Sequence, residues 1–201
     1  MSKSNLPRYD TVRGQRRKVY SGITIVRDIE AFMHVAVIRA AVYMGDQHCP
    51  YYEEFDENDF AGTHVLAYKN GEPVGCLRIR YFGAFVKLER LAVMPAYRKS
   101  RLAFRLISAA RDFCLKKGFV TFYGHAQKGV ENLWMYMGAS PVSGKSQFVF
   151  SDYSYTEMSC TLDADPTAFN IDTSPYTLIA PEGRWDVPGP LELSASRGSK
   201  D

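Results

Sequence analysis

The 201 residues, 46% hydrophobic and 23% charged, have the composition of one globular domain, and the net charge of +3 is too small to argue for nucleic acid. The charge is unevenly spread: Lys3, Arg8, Arg13, Arg16, Arg17 and Lys18 stand against the single acid Asp10, whereas residues 161–201 carry seven acids and three bases. No apolar run has the length of a membrane span, no apolar h-region follows the polar start, and Cys49, Cys76, Cys114 and Cys160 form no C-x-x-C pair. A cytoplasmic protein with reduced thiols and no metal is expected, and the adjacent His48 and Cys49, lacking a second pair at ligand spacing, read as loop residues.

In chain order, the basic arm 1–19 comes first, a solvated segment that could rest on an anionic membrane surface. Residues 20–27, "YSGITIVR", predict a strand, and Asp28 then caps a helix with Phe32, Val35, Ala36 and Ile38 at helical spacing. The aromatic, acidic stretch 45–62 predicts a substrate-facing loop holding a short helix. Asn70-Gly71 turns a hairpin, residues 85–93 form the next strand, and 101–117 form a helix stopped by Gly118. A strand from 119, a short helix ended by Gly138 and a terminal strand or hairpin over 146–162 complete a domain over 20–163. From 164 to 201 Pro166, Pro175, Pro181, Pro188 and Pro190 break every pattern, leaving an acidic extension. The whole is one mixed α/β (α+β) domain.

Two local features carry chemistry. In "FVKLERLAV" Val86 and Leu88 alternate on even positions but Leu91 and Val93 on odd ones, which predicts a β-bulge near Glu89 or Arg90, with burial on both faces as the alternative. Immediately after, Arg98, Lys99, Arg101 and Arg105 crowd the start of a helix, where the macrodipole already places positive charge. A bound phosphate would remove both penalties.

A bulged strand, a turn and a basic helix start in this order resemble the GNAT superfamily of acyl-coenzyme A-dependent N-acyltransferases, over roughly residues 20–160. The resemblance implies a mostly antiparallel central sheet flanked by helices, with a bulged fourth strand whose backbone, here Leu91, Ala92 and Val93, binds the pantetheine arm and the developing oxyanion. The family's pyrophosphate loop, Gln/Arg-x-x-Gly-x-Gly/Ala, resembles Arg98-Lys99-Ser100-Arg101-Leu102-Ala103, with Arg101 where the first glycine belongs. Gln127 stands near the family's pantetheine-binding asparagine. Trp134 aligns with its thiolate-protonating tyrosine, and Tyr136 lies on another helical face. "YRKSRLAF", "GHAQ" and "FVFSDYSYTEM" are similar to a bacterial branch that transfers long acyl chains, including N-acyl amino acid synthases and ceramide synthases.

Transfer to an amine needs a base and a positioned thioester. Glu89 at the bulge is the expected base, with an ion pair to Arg90 or Lys87 as its structural alternative; His125 is the second candidate and Tyr123 a remoter acid. Three functions follow: long-chain acyl transfer to a lipid-like amine such as a sphingoid base, acetyl transfer to a small molecule or protein, or acyl-CoA binding without turnover. Acyl-CoA is the expected co-substrate, an acyl carrier protein thioester the alternative, and no permanent cofactor is implied.

Overall fold

The computed structural model describes residues 20–198, so the basic arm and its expected membrane contact lie outside the described residues. Four strands, β1 (Gly22–Ile25), β2 (Gly62–Lys69), β3 (Glu72–Phe82) and β4 (Phe85–Val93), pair antiparallel in succession. Asn70 and Gly71 join β2 to β3 with φ of 52° and 83°, the mirror-image turn whose twist suits a two-residue hairpin. α3 (Leu102–Lys116) crosses back to β5 (Thr121–Gln127), which lies parallel to β4. β8 (Tyr153–Thr161) pairs antiparallel with β5, and the short β6 (Ser140–Pro141) and β7 (Phe148–Phe150) both pair with β8. The resulting sheet has the order β1-β2-β3-β4-β5-β8-β6, with β7 also on β8. The expected mixed, mostly antiparallel architecture is the one observed.

Helices cover both faces. On one, Leu102, Leu106, Ile107, Ala110, Phe113 and Cys114 of α3 bury their stripe against Val65, Leu77, Val86 and Leu88. On the other, Val35 and Ile38 of α1 (Ile29–Arg39) and Val42 beyond it pack on Leu66, Cys76 and Ala92. β3 is therefore apolar without alternation from Val74 to Ile79, apart from Gly75 and Arg78. Each large side chain removed from water contributes about 1.5–3 kcal/mol. Asp28 caps α1 through the Ala31 N–H at 2.8 Å, and the helix continues into a π-helical segment, Ala40–Asp46. Loop 45–62 holds the short helix α2 (Tyr51–Glu54) and a 3₁₀ turn at Asp59–Ala61.

The bulge is present, and Arg90 is the extra residue. Cys76 faces Ala92 and Arg78 faces Glu89, so Leu77 alone opposes Arg90 and Leu91. Arg90 takes a left-handed φ of 53°, and the register slips by one. Val86, Leu88, Leu91 and Val93 can then all reach the same core. The β4–β5 ladder ends at Leu88 and Gly124, two residues before Arg90, and the strands part.

The Pro-rich extension packs on the body. Trp185 stacks on Phe113 with ring centroids 5.3 Å apart, Phe169 meets Trp185 edge-on, and Lys117 pairs with Glu182 at 3.0 Å. Two short helices, α5 (Pro175–Leu178) and α6 (Pro190–Ala195), lie within it. All four cysteines are free thiols, and the described residues hold no cluster of His, Cys, Asp or Glu suited to a metal ion. No described helix is long and apolar enough to cross a membrane.

Where the strands part, α4 (Glu131–Tyr136) lays Trp134 over Gly124. A Cβ on Gly124 would meet Trp134 Cη2 at 2.5 Å and the Leu88 carbonyl oxygen at 3.0 Å, so the buried indole would have to shift from its place. Gly124→Ala is expected to destabilise the fold by about 1–3 kcal/mol in urea unfolding, as overpacked cores do; an unchanged midpoint would show that the indole moves freely.

Candidate active site

The divergence of β4 and β5 opens a cavity of about 620 Å³ that runs from the start of α3 to the outer half of β4. Leu88, Leu91, Val93, Ala103, Leu133 and Trp134 wall one end, and Arg80, Lys87, Glu89, Arg90 and His125 the other. Loop 45–62 contributes Gln47, Tyr52, Glu53 and Asp56, and the terminal hairpin contributes Phe148, Phe150 and Tyr155.

Backbone polarity at the parting follows from the ladder. Met94 donates to the Val74 carbonyl and Ala92 sits opposite Cys76, so these two turn their backbone groups toward β3. Leu91 and Val93 therefore face the side that β5 has left. Their carbonyls are taken, by the Tyr43 hydroxyl at 2.8 Å and by Arg98 Nε at 3.2 Å. Their N–H groups face the cavity. Of the three residues expected to supply backbone donors, Leu91 and Val93 are so placed, and Ala92 is turned away by the strand alternation.

At the helix start Arg101 adopts φ 59°, ψ 15° as the N-cap of α3, without a side-chain capping hydrogen bond. This is the left-handed conformation natural to glycine, costing another residue about 1–2 kcal/mol. The arginine thus keeps the backbone path of the glycine it replaces. Behind it, Leu102 and Ala103 lie in the first turn, where amides have no preceding helical carbonyl. Arg98 lines the cavity and pairs with Asp46 at 2.6 Å, while Lys99, Ser100 and Arg101 are exposed outside the cavity wall. Four cations at one helix end, with one acidic partner among the described residues, remain suited to a phosphate.

The opposite end rests on a buried ion network that the sequence pattern did not reveal. Arg39 and Arg78, both fully buried, bind the acids of the loop: Arg39 pairs with Glu54 and Asp59, and Arg78 with Asp56 at 2.6 Å, Asp59 at 2.8 Å and Glu89 at 2.8 Å. Arg90, swung out by the bulge, reaches Glu54 and Asp56, each at 3.2 Å. Burial alone would raise every one of these carboxyls. The arginines outweigh it at Asp56 and Asp59, whose pKa values fall, but not at Glu54, which stays raised.

Glu89 lies in the cavity, paired with Arg78 and with Lys87 at 2.8 Å but not with Arg90, which the bulge redirects. Burial pushes its carboxyl up, yet the Lys87 hydrogen bond and the Arg78 charge hold it below the ordinary range. His125 also faces the cavity. The Tyr123 hydroxyl donates to Glu157, so His125 Nε2, 2.8 Å from that same oxygen, carries the ring proton and Nδ1 keeps a lone pair. Tyr123 itself is not a wall residue, and burial and Glu157 raise its pKa. Gln127 and Trp134 line the cavity, whereas Tyr136 is 79% exposed against Phe104. The tyrosines that do line it are Tyr43, Tyr52 and Tyr155, of which Tyr52 is 86% exposed. Tyr43 is brought by the π-helical segment and Tyr155 by the pairing of β8 with Gln127, neither of which local periodicity displays.

Burial and then the charge of Lys87 lower the His125 pKa to about 4. In the unfolded chain it should titrate near 6.5. Since the folded value is depressed, the associated stability is present above about 6.5 and is lost as pH falls through about 4. An NMR titration should show the His125 ring unprotonated down to pH 5, with a midpoint near 4; a midpoint at 6 or above would contradict this environment.

Comparison with known proteins agrees with this geometry. The model of the Acetyltransferase (GNAT) family matches residues 32–135. The uncharacterized protein YyaT of Bacillus subtilis is 33% identical over 113 residues, 54% of this chain and 76% of its own. The uncharacterized N-acetyltransferase YjcF of the same organism is 27% identical over 103 residues, 51% of this chain and 74% of its own. Among solved structures, Escherichia coli ElaA superposes with a TM-score of 0.63 at 23% identity, covering 69% of this chain and 98% of its own. Arabidopsis thaliana Naa50, in complex with the bisubstrate analogue CoA-Ac-MVNAL, superposes at 0.56 and 18% identity, covering 70% and 99%. With over half its length matched by the family model, the chain belongs to the acetyltransferase (GNAT) family.

Proposed function

We propose that this protein transfers a short acyl group, acetyl in the first instance, from acyl-CoA to a primary amine. The observation that carries the reading is the charged far end of the cavity, where Arg80, Lys87, Glu89 and His125 meet the route from the helix start. A hydrocarbon tail would leave these groups buried against methylenes, an unfavourable exchange of hydration for no hydrogen bond. The N-acetyltransferase name of YjcF points the same way.

In this reading the donor enters along Leu91 and Val93, whose N–H groups hold the arm and the thioester oxygen, with Gln127 across the gap. Arg98, Lys99, Ser100, Arg101 and the first-turn amides of Leu102 and Ala103 hold the pyrophosphate, Arg98 exchanging Asp46 for it. Trp134 walls the cavity over Gly124 but has no hydroxyl to give. Attack joins the amine nitrogen to the carbonyl carbon, and collapse breaks the carbon–sulfur bond. Glu89, its oxygens already shared by Arg78 and Lys87, orients the amine; His125 Nδ1, with its lone pair uncommitted, accepts the proton of the amine. Because the nitrogen of the tetrahedral adduct is far more acidic than a free ammonium, a weak base suffices. Tyr43 is committed to Leu91 and Tyr52 turns mostly to solvent, which leaves Tyr155 to protonate the departing thiolate, a role for which its raised pKa keeps it supplied with a proton.

Long-chain transfer, to a sphingoid base among other amines, is a second reading, favoured by the aromatic wall of Tyr52, Phe148, Phe150 and Tyr155. Donor length separates the two. Each methylene seated in an apolar channel contributes about 0.8 kcal/mol, so a channel enzyme would prefer a sixteen-carbon donor by orders of magnitude. Initial rates of CoA release should instead be higher with acetyl-CoA than with palmitoyl-CoA below its micellar concentration, and His125→Asn should lower kcat by about 10²-fold or more with donor affinity intact. Preference for the palmitoyl donor would establish the long-chain reading. Loss in Glu89→Gln alone would return the base to Glu89.

A further inference from the structure

The cavity's charges can be counted by partner. Arg39, Arg78, Arg90 and Lys87 are ion-paired with Glu54, Asp56, Asp59 and Glu89 in the bridges described above, four cations against four carboxylates, and Arg98 with Asp46. Two wall residues are left over. Arg80 has no ion pair among the described residues and only the Phe82 ring, 4.9 Å from its guanidinium carbon, beside it. Glu53 lines the same cavity with Oε2 buried and without a hydrogen-bond partner. A buried polar oxygen left unpaired is costly, by about 1–3 kcal/mol.

Arg80 is further burdened by its neighbour. It stands directly opposite Lys87 in the β3–β4 ladder, a like-charge cross-strand pair. Lys87 must share Glu89 with Arg78, so the ledge formed by Arg80 and Lys87 keeps a surplus of positive charge. Lys87 and Glu89 are two residues apart on one strand face, a span of about 7 Å. A small molecule with an anionic group on the ledge can therefore present its nitrogen beside Glu89 and His125.

We infer that the acceptor is a zwitterion of the amino acid class, its carboxylate held by Arg80 and Lys87 and its nitrogen presented among Glu53, Glu89 and His125, which takes up its proton. This rests on the transfer reading for the reaction, but recognition of the acceptor can be measured apart from turnover. Loaded with such a molecule, the cavity carries no uncompensated charge. A diamine or a neutral amine would leave Arg80 facing nothing.

The test compares matched pairs differing only in the carboxylate: L-phenylalanine and phenethylamine, L-lysine and cadaverine, L-alanine and ethylamine. Calorimetry on the full chain saturated with CoA should give a preference for the acid of about 10–100-fold in at least one pair, the worth of a charge-assisted contact. Arg80→Gln should collapse that ratio toward one, and Arg80→Lys should restore part of it, which a merely structural role for Arg80 would not do. The inference is overturned if no amino acid binds better than its decarboxylated partner, or if Arg80→Gln leaves the ratio unchanged. CoA release from acetyl-CoA with the same pairs reports separately on transfer. Carboxylate-dependent binding without release would count against the transfer reading alone, and release indifferent to the carboxylate against the acceptor alone.

Discussion

One extra residue in β4 organises this molecule. Without Arg90, β4 could not place Val86 and Leu88 before it and Leu91 and Val93 after it in a common core. The same residue marks where β4 leaves β5, and so determines where a cavity can exist. It also throws a guanidinium outward to Glu54 and Asp56 of the loop that closes that cavity. Strand register, opening and wall thus trace to a single left-handed backbone position.

What the bulge opens, a buried ion network holds. Arg39 and Arg78 are fully buried among Glu54, Asp56, Asp59 and Glu89, and they tie loop 45–62 to α1, β3 and β4 at once. Such a network adds little net stability over a well-packed apolar alternative, since desolvation offsets most of the Coulombic gain. Breaking one member is another matter, because its partner is left buried and charged, at about 3–5 kcal/mol. The arrangement favours one fixed position of the loop over many loose ones. That suits a wall expected to hold a polar acceptor against a reacting thioester, where positioning supplies most of the advantage.

Much of the fold is legible in the chain because local rules and global packing agree there. The Asp28 cap, the Asn70-Gly71 turn, the limits of β4 and the stops at Gly118 and Gly138 all stand where the residues indicate. The bulge is readable because a change of hydrophobic parity has few other causes. The site is half legible. Glu89, His125, Gln127, Trp134, Leu91 and Val93 meet at the cavity, since strand ends and helix faces bring them there. Arg39 and Arg78 look like surface residues until the acids of a distant loop are folded over them. Tyr43 and Tyr155 arrive by a π-helical turn and a terminal strand, so contacts of long sequence separation, not local pattern, assign them.

The central claim is that β4 presents an unpaired edge that a donor molecule completes. Amide hydrogen exchange by NMR addresses it without altering a side chain. In the free protein the Leu91 and Val93 amides should exchange rapidly, while Ala92 and Met94, bonded into the β3 ladder, stay protected. Saturating CoA should slow Leu91 and Val93 by about five- to twelvefold, as a hydrogen bond worth roughly 1–1.5 kcal/mol requires. Protection of all four amides in the free protein, or no change at Leu91 and Val93 on adding CoA, would contradict the account.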